Sequence, residues 1–258
     1  VQSVESKPYR RRPAAPFMTS TLQQEASGRL GFSASRTMGA AQKLYEEGHI
    51  TYMRTDSTTL SADALSAART LIRERFGQDS LPADARVYNK KVKNAQEAHE
   101  AIRPAGDTWS DPSDLGFKGD NADSDPARLY QLIWSRTIAS QMTDAEGQTV
   151  TIRLAASPFG PETYEFGTSG TVITSPGFMA VYGRQSDESD DEERELPNLS
   201  EGDAVVATSL ESKDHQTKPP ARYTEATLVR QLEELGVGRP STYASILGTI
   251  QSRGYVWK

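Results

Sequence analysis

The sequence contains no cysteine and only three histidines among its 258 residues. The first absence excludes disulfides and cysteine-based zinc sites, and three scattered histidines cannot make a zinc site without help from carboxylates. No apolar run reaches the length that a membrane helix needs, and the first residues lack the apolar stretch of a signal peptide. We therefore expect a soluble protein of the cytoplasm.

The apolar residues make up only 36% of the chain, which is below the usual share for a compact globule. A chain of this length can hold two or three small domains, each with its own core. Because the sequence begins with Val1 and stops at Lys258 directly after a strand-like run, we expect it to be a piece excised from a longer protein.

The net charge of −6 argues against a nucleic-acid partner until it is divided along the chain. Residues 1–105 hold 16 basic and 11 acidic side chains, residues 106–212 hold 6 and 20, and residues 213–258 hold 7 and 4. The two basic end segments could face a polyanion while the middle faces solvent or another partner. Uneven surface charge without function explains the same numbers and stays open.

Hydrophobic periodicity changes from helical to alternating near Thr149, so an α+β fold is expected. We predict a helical domain, residues 17–138, inserted into a β domain made of residues 1–16 and 139–217, with a partial helical domain at 218–258. The acidic run from Asp187 to Glu195 is predicted as a solvated loop. The predicted elements are a strand at Ile50–Arg54, helices at 62–76, 95–102 and 127–142, and strands at 149–156, 162–174, 179–183 and 204–211.

Two stretches share one pattern of helix, glycine turn, helix, glycine and strand. The first begins with a helix that Thr19 is predicted to cap, and the second begins near Thr224. Winged helix-turn-helix units show this pattern and meet DNA through the second helix and the wing. Short helical hairpins are common, so the pattern alone leaves DNA contact undecided.

The most informative stretch is HITYMRTDST, residues 49–58. On an extended strand Tyr52, Arg54 and Asp56 would project to one side. A neutral tyrosine is a poor nucleophile, but a neighbouring cation favours the phenolate and can hold the oxygens of a phosphodiester. The alternative is a surface Arg–Asp pair beside a half-buried tyrosine.

Four motifs then occur in order: PFMTSTLQQEASGRLGFSASRTM, GHITYMRTDST, NAQEAHEAIRP and PPARYTEATLVRQLEELGVGRPSTYASILGTIQSRGYV. With these motifs the chain resembles the bacterial type IA DNA topoisomerases, and Met53 between Tyr and Arg favours the topoisomerase I subtype. The resemblance implies an isomerase that cleaves one DNA strand through a 5′-phosphotyrosyl intermediate, passes a strand and religates, relaxing negative supercoils. It also implies a β arch around a central hole, with winged-helix-like helical domains beside it.

Carried over residue by residue, the resemblance makes Tyr52 the nucleophile and Arg54 the residue beside the scissile phosphate. The residues implied as DNA-contacting or supporting neighbours are Gln42, Thr51, Asp56, His99, Arg239 and Thr242. Read without the family, His99 is more readily a capping or structural histidine than a phosphate contact. Arg239 and Thr242, at a predicted helix start, could bind a phosphate or simply cap the helix.

The chain also departs from the family pattern. Nothing in it resembles the Toprim domain, whose acidic cluster binds Mg²⁺ and whose lysine assists the leaving oxygen, nor the C-terminal DNA-binding domains. The one Asp-x-Asp, Asp123 to Asp125, follows no apolar strand, and we reject it as a metal site. We expect no cofactor in this chain, Mg²⁺ through a missing Toprim domain, single-stranded DNA as partner, a monomer, and no activity of the chain alone. The alternative is a non-catalytic winged-helix DNA-binding module.

Overall fold

A computed structural model describes residues 1–88, 100–113, 123–156, 163–183 and 196–257. The chain forms two compact units, the first made of Val1–Arg12 and Asp144–Pro220 and the second of Pro13–Thr143 and Ala221–Lys258. The division into three domains with boundaries at 17, 139 and 218 stays a prediction. The structure itself packs the residues after Pro220 with the helical segment.

The first unit is built on an antiparallel sheet of three strands in the order β1-β2-β3. The strands are β1 (Ser3–Arg11), β2 (Ala145–Ala156) and β3 (Tyr164–Ser175). The register between β2 and β3 shifts at Gly147, where an added Cβ would lie 2.1 Å from the Val172 carbonyl oxygen. Only glycine allows this close approach of the two backbones.

A buried carboxylate stabilises the end of the sheet where β1 ends and β2 begins. Asp144 is 4% exposed, and its Oδ2 accepts a hydrogen bond from Arg10 Nε at 2.6 Å. Arg12 Nε lies 3.9 Å from the same oxygen. Burying an acid is costly unless it is paired, so this cluster fixes where β2 begins beside the end of β1.

Two of the predicted strands in this unit are wrong. Residues 179–183 lie mostly in a 3-10 helix, Gly177–Tyr182, and residues 204–211 form no strand. Their alternating apolar residues have no partner strand: Val206, for example, is 87% exposed. The acidic run from Asp187 to Glu195 lies outside the described residues.

The second unit consists of helices whose ends follow local capping chemistry. They are α1 (Thr19–Leu30), α2 (Ala34–Glu46), α3 (Ala62–Phe76), α4 (Asp125–Ser140), α5 (Glu225–Leu235) and α6 (Tyr243–Ser252), with a 3-10 turn at Gln78–Ser80. Ser33 and Ser61 accept hydrogen bonds from backbone N–H groups of α2 and α3. Gly31 and Gly236 end α1 and α5 in the left-handed conformation, which glycine adopts at no steric cost.

The core of this unit lies between the first four helices. Its fully buried side chains include Leu22, Leu44, Ile72, Leu129 and Ile133, each with 0% exposure. Helix α4 is the most buried of the four along its length. Every helix within the described ranges is too short or too polar to cross a lipid bilayer.

Helix α5 packs against α1 and α6 packs against α2, and both also contact the start of α2. Val229, Tyr243 and Leu247 form a buried cluster with Ala34. The Ala34 N–H donates to the Glu225 carboxylate at 2.8 Å, so a negative charge sits at the N-terminus of α2, where it is stabilising. The helix pairs α1–α2 and α5–α6 both show the predicted glycine turn.

Other local predictions differ from the structure. No strand follows Gly254 within the described residues. Of the helix expected at 95–102, residues 95–99 lie outside the described part, and 100–102 are not helical. Thr19 is not a cap but the first residue of α1, because its hydroxyl is bound elsewhere.

Candidate active site

The residues around the predicted nucleophile form an irregular segment and not the predicted strand. Within 50–54 only Ile50 makes a β-bridge, with Pro104. A strand needs a continuous ladder of hydrogen bonds, and neighbouring loops replace that ladder here with single contacts. The segment is nevertheless well anchored, as its hydrogen bonds show.

Exposure alternates along this segment. Met53 and Thr55 are buried, at 1% and 2% exposure, whereas Tyr52 is 40% exposed and Arg54 is exposed as well. Alternate residues of an extended chain point to the same side. Tyr52 and Arg54 are therefore both presented to solvent by a backbone whose other side chains enter the core.

Thr51 fixes the backbone before Tyr52. Its hydroxyl donates to the Ala101 carbonyl at 2.7 Å and accepts from the Arg103 N–H at 3.0 Å. Its own N–H donates to the Arg103 carbonyl at 2.9 Å. Because the hydroxyl is already engaged with the backbone, the geometry favours a supporting role for Thr51 over contact with a ligand.

Thr19 fixes the backbone after Tyr52. Its hydroxyl lies 2.8 Å from the Met53 carbonyl and 3.0 Å from the Thr55 carbonyl, and it accepts the Thr55 N–H at 2.9 Å. The Thr19 N–H also donates to the Thr55 carbonyl at 2.9 Å. The start of α1 thus holds the chain on both sides of Arg54.

A charged pair supports the segment that Thr51 contacts. Arg103 is 8% exposed, and its guanidinium donates to the carbonyls of Pro104 and Gly106 and to the Glu100 carboxylate at 2.7 Å. The other Glu100 oxygen accepts the Ser61 N–H at 2.6 Å. Burial raises the pKa of Glu100, but the hydrogen bonds from Ser61 and Arg103 outweigh it and hold that pKa below its ordinary value.

Three tyrosines near the site differ in their surroundings. The rings of Tyr45 and Tyr52 meet edge to face, with centroids 5.3 Å apart, and Tyr45 is 41% exposed. Tyr243 is only 6% exposed, and burial raises the pKa of its phenol, with the charge of Glu233 adding to the effect. A buried phenol that resists ionisation is a poor nucleophile, which leaves Tyr45 and Tyr52 as the accessible ones of the three.

The charges of Asp56, which raises the pKa of Tyr243, and of Arg239, in the turn before α6, which lowers it, act in opposite directions. Arg239 is exposed, and its backbone N–H donates to the Thr242 hydroxyl at 2.8 Å. Gly238 has a φ of +83°, and a Cβ there would lie 2.9 Å from the Ile246 side chain. The tight turn therefore requires glycine and presents the Arg239 side chain outward.

The remaining predicted residues are more dispersed. Gln42 lies on α2 and donates to the Glu46 carboxylate at 2.6 Å. His99 lies outside the described residues. Asp125 of the Asp-x-Asp stretch starts α4 and forms a two-pronged ion pair with Arg36, whose hydrogen bonds lower the pKa of the carboxyl.

No group of three acidic or histidine side chains in the described part of the chain could hold a metal ion. The structure instead adds two residues to the site that the sequence did not mark. These are Thr19, predicted only as a helix cap, and Glu100, which joins the nearby Arg103 to Ser61, 39 residues earlier in the sequence. The local sequence around Thr19 and Glu100 does not predict either role.

The chain was compared with known proteins. A family model described as DNA topoisomerase matches residues 1–258. DNA topoisomerase 1 of Mycolicibacterium smegmatis is 57% identical over 263 residues, which cover 100% of this chain and 28% of that protein. DNA topoisomerase 1 of Streptomyces coelicolor is 57% identical over 262 residues, covering 100% of this chain and 27% of that protein.

Similarity extends to three-dimensional structure. The full-length topoisomerase I from Thermotoga maritima matches with a TM-score of 0.77 and 35% sequence identity, covering 100% of this chain and 41% of that chain. The present chain spans about 28% of the length of its curated relatives.

Proposed function

Because the chain belongs to the bacterial type IA DNA topoisomerase family, we propose that it cleaves one DNA strand with Tyr52 as the nucleophile, as part of a longer enzyme. The observation that carries this proposal is the exposure of Tyr52 and Arg54, two residues apart, on a segment held by buried hydrogen bonds. A nucleophile and a cation fixed in this way suit attack on a phosphodiester.

The reaction is a transesterification. The phenolic oxygen of Tyr52 attacks the phosphorus, a Tyr–O–P bond forms, and the bond from phosphorus to the 3′ oxygen breaks. The phenol loses its proton, and the departing 3′ oxygen gains one to become a hydroxyl. The enzyme keeps the 5′ phosphate on Tyr52, and the reverse reaction reseals the strand.

Arg54 stabilises the charge that builds up during this step. Negative charge increases on the non-bridging oxygens and on the departing oxygen in the transition state, so a fixed cation stabilises that state more than the ground state. Arg54 is exposed, so its guanidinium is accessible to a phosphate.

The other predicted residues would contact the strand around the scissile phosphate. Arg239 is exposed on a rigid turn, and the charges of Arg239 and Asp56 both act on Tyr243. Gln42 belongs to the proposed DNA surface, while Thr51 supports the backbone. His99 lies outside the described residues, and its proposed contact with DNA rests on the family resemblance alone. Single-stranded DNA is the proposed substrate on the basis of the family resemblance.

The proposal extends to the finer architecture that the family resemblance implies. In the whole enzyme the sheet of the first unit belongs to an arch, the helix pairs α1–α2 and α5–α6 act as winged-helix-like elements, and strand passage relaxes negative supercoils. Mg²⁺ is held by a Toprim domain elsewhere in the enzyme, which acts as a monomer. The acidic residues described in this chain do not fit that metal.

Replacing Tyr52 by Phe in the full-length enzyme tests the proposal. We expect Tyr52→Phe to abolish the covalent protein–DNA adduct on a single-stranded oligonucleotide while DNA binding stays nearly unchanged, since only the nucleophilic oxygen is removed. Tyr45→Phe is the matched control, because Tyr45 has almost the same exposure and lies against Tyr52. It should keep the adduct.

A persisting adduct in the Tyr52→Phe enzyme would exclude Tyr52 as the nucleophile. DNA binding without adduct formation in the wild type would instead favour a non-catalytic DNA-binding module.

A further inference from the structure

The buried hydroxyl of Thr19 has no role in the proposed chemistry, yet it contacts the backbone on both sides of Arg54. Thr19 is 0% exposed, so it cannot touch DNA. Its hydroxyl reaches the carbonyls of Met53 and Thr55 at 2.8 and 3.0 Å and accepts the Thr55 N–H at 2.9 Å. Because a hydroxyl has one proton, it donates to one carbonyl at a time, with Met53 the nearer, while it accepts the Thr55 N–H. The Thr55 carbonyl also accepts the Thr19 backbone N–H.

From this geometry we infer that Thr19 is a positioning residue that sets where Tyr52 and Arg54 stand relative to each other. The inference rests on the proposed function. The segment is not part of a sheet, so no ladder fixes its backbone. Thr51 holds it before Tyr52 through Ala101 and Arg103, and Thr19 holds it after Tyr52.

Thr19 is well placed for this role because its own position is fixed. It is the first residue of α1, and the carbonyl of Phe17, two residues earlier, accepts the Ile102 N–H at 2.7 Å. The loop that holds Thr51 therefore also holds the start of α1. The two threonines belong to one rigid frame around the nucleophile.

A short displacement of a reacting group suffices to slow a reaction strongly. Misplacement by about 1 Å can lower a rate by about a hundredfold. Without the Thr19 hydroxyl, the Met53 carbonyl and Thr55 N–H would be buried with fewer partners, and the segment would shift to satisfy them. The consequence is a slower chemical step with little change in DNA binding, because phosphate contacts are spread over many residues.

The test compares Thr19→Val with wild type in the full-length enzyme by single-turnover cleavage of a single-stranded oligonucleotide at saturating concentration. We expect the cleavage rate of Thr19→Val to fall by about tenfold to a hundredfold, with the dissociation constant for the oligonucleotide nearly unchanged. Thr19→Ser keeps the hydroxyl and should restore the rate.

Thr137→Val is the matched control. Thr137 is also 0% exposed, but its hydroxyl donates only to the Ile133 carbonyl within α4, at 2.8 Å. This variant loses a buried hydroxyl without touching the segment, and it should cleave at the wild-type rate. Thermal unfolding of both valine variants separates a loss of stability from a loss of rate.

If Thr19→Val does not fold, Thr19→Ala and Thr19→Ser are compared instead, since the two differ only in the hydroxyl. Equal cleavage rates for the Ala and Ser variants, or a wild-type rate for Thr19→Val, would overturn the inference. The Tyr52→Phe enzyme is measured in the same assay. A covalent adduct in that enzyme would mean that the proposed function has failed, whereas its absence would mean that only the inference about Thr19 is in question.

Discussion

Arg54 is an exposed cation two residues after the proposed nucleophile, and its contribution depends on when charge develops. Ordinary phosphate contacts act before and during the reaction alike, so their loss lowers affinity in a salt-dependent way. A guanidinium beside the scissile phosphorus acts mostly in the transition state. The two roles predict different kinetic effects for the same substitution.

We expect Arg54→Ala in the full-length enzyme to lower the single-turnover cleavage rate by on the order of a hundredfold, as for loss of one preorganised donor. Arg54→Lys keeps the charge but loses the planar fork, so its rate should fall between those of Arg54→Ala and wild type. Cleavage at saturating oligonucleotide measures this effect. A wild-type rate for Arg54→Ala at saturation, with weakened binding only, would make Arg54 an ordinary phosphate contact.

The sequence predicts the exposed residues of the proposed site but not the buried residues that hold them in place. Tyr52 and Arg54 stand in a motif whose residue types suggest chemistry, so they can be read locally. Thr19 and Thr51 act through hydrogen bonds to residues 36 and 50 positions away. Such contacts depend on the tertiary fold, and a threonine near a helix start reads equally well as a cap.

At the scale of elements, helices were predicted more reliably than strands. The signals of α2 and α3, such as Ser33 and Gly77, lie directly at the ends of the helices, and the predicted range 62–76 of α3 is confirmed. A strand exists only when another strand pairs with it. The alternating runs at 50–54 and 204–211 lack that partner, and their local pattern could not reveal this.

Glu100 links two elements, and its titration gives a prediction for stability. It joins the segment of Arg103 to Ser61, the residue that caps α3. Its pKa is lowered in the folded chain, because the hydrogen bonds outweigh the effect of burial. A carboxyl with a depressed pKa stabilises the fold above its unfolded pKa of about 4.3, and this contribution is lost as pH falls through the folded pKa.

We therefore expect Glu100→Gln to lower the free energy of unfolding at neutral pH by about 1–3 kcal/mol. The difference from wild type should shrink as pH falls through the lowered pKa of folded Glu100, because the wild-type side chain then also becomes neutral. Urea unfolding at several pH values measures it. Glu74→Gln, at an exposed position of α3, is the control and should stay near wild type, whereas a pH-independent difference for Glu100→Gln would contradict the linkage.

At the scale of the whole molecule, the charge division follows the compact units. The second unit, Pro13–Thr143 with Ala221–Lys258, holds 20 basic and 19 acidic residues, while the first holds 9 and 16. The net charge of −6 thus comes from the unit that contains the sheet. The unit that carries Tyr52 is nearly neutral, which removes the apparent conflict between an acidic protein and a DNA substrate.

The residues that the chain carries lead to a prediction about the chain by itself. It carries the proposed nucleophile and cation, but its described residues offer no acidic group that would fit Mg²⁺. If cleavage needs a Toprim domain with its acidic cluster and lysine, the 258-residue chain should neither cleave DNA nor relax a supercoiled plasmid. Binding of single-stranded DNA should be measurable all the same, because the phosphate contacts do not need the metal.

Adding a separately produced Toprim domain and Mg²⁺ should then restore a covalent adduct on a single-stranded oligonucleotide, at a rate that rises with the concentration of the added domain. The Tyr52→Phe chain is the control and should give no adduct under any of these conditions. Chelation of the metal should abolish the adduct of the wild-type mixture. The prediction assumes that cleavage by Tyr52 needs the acidic cluster and lysine of a Toprim domain. Relaxation of a supercoiled plasmid by a clean preparation of the chain alone would contradict it.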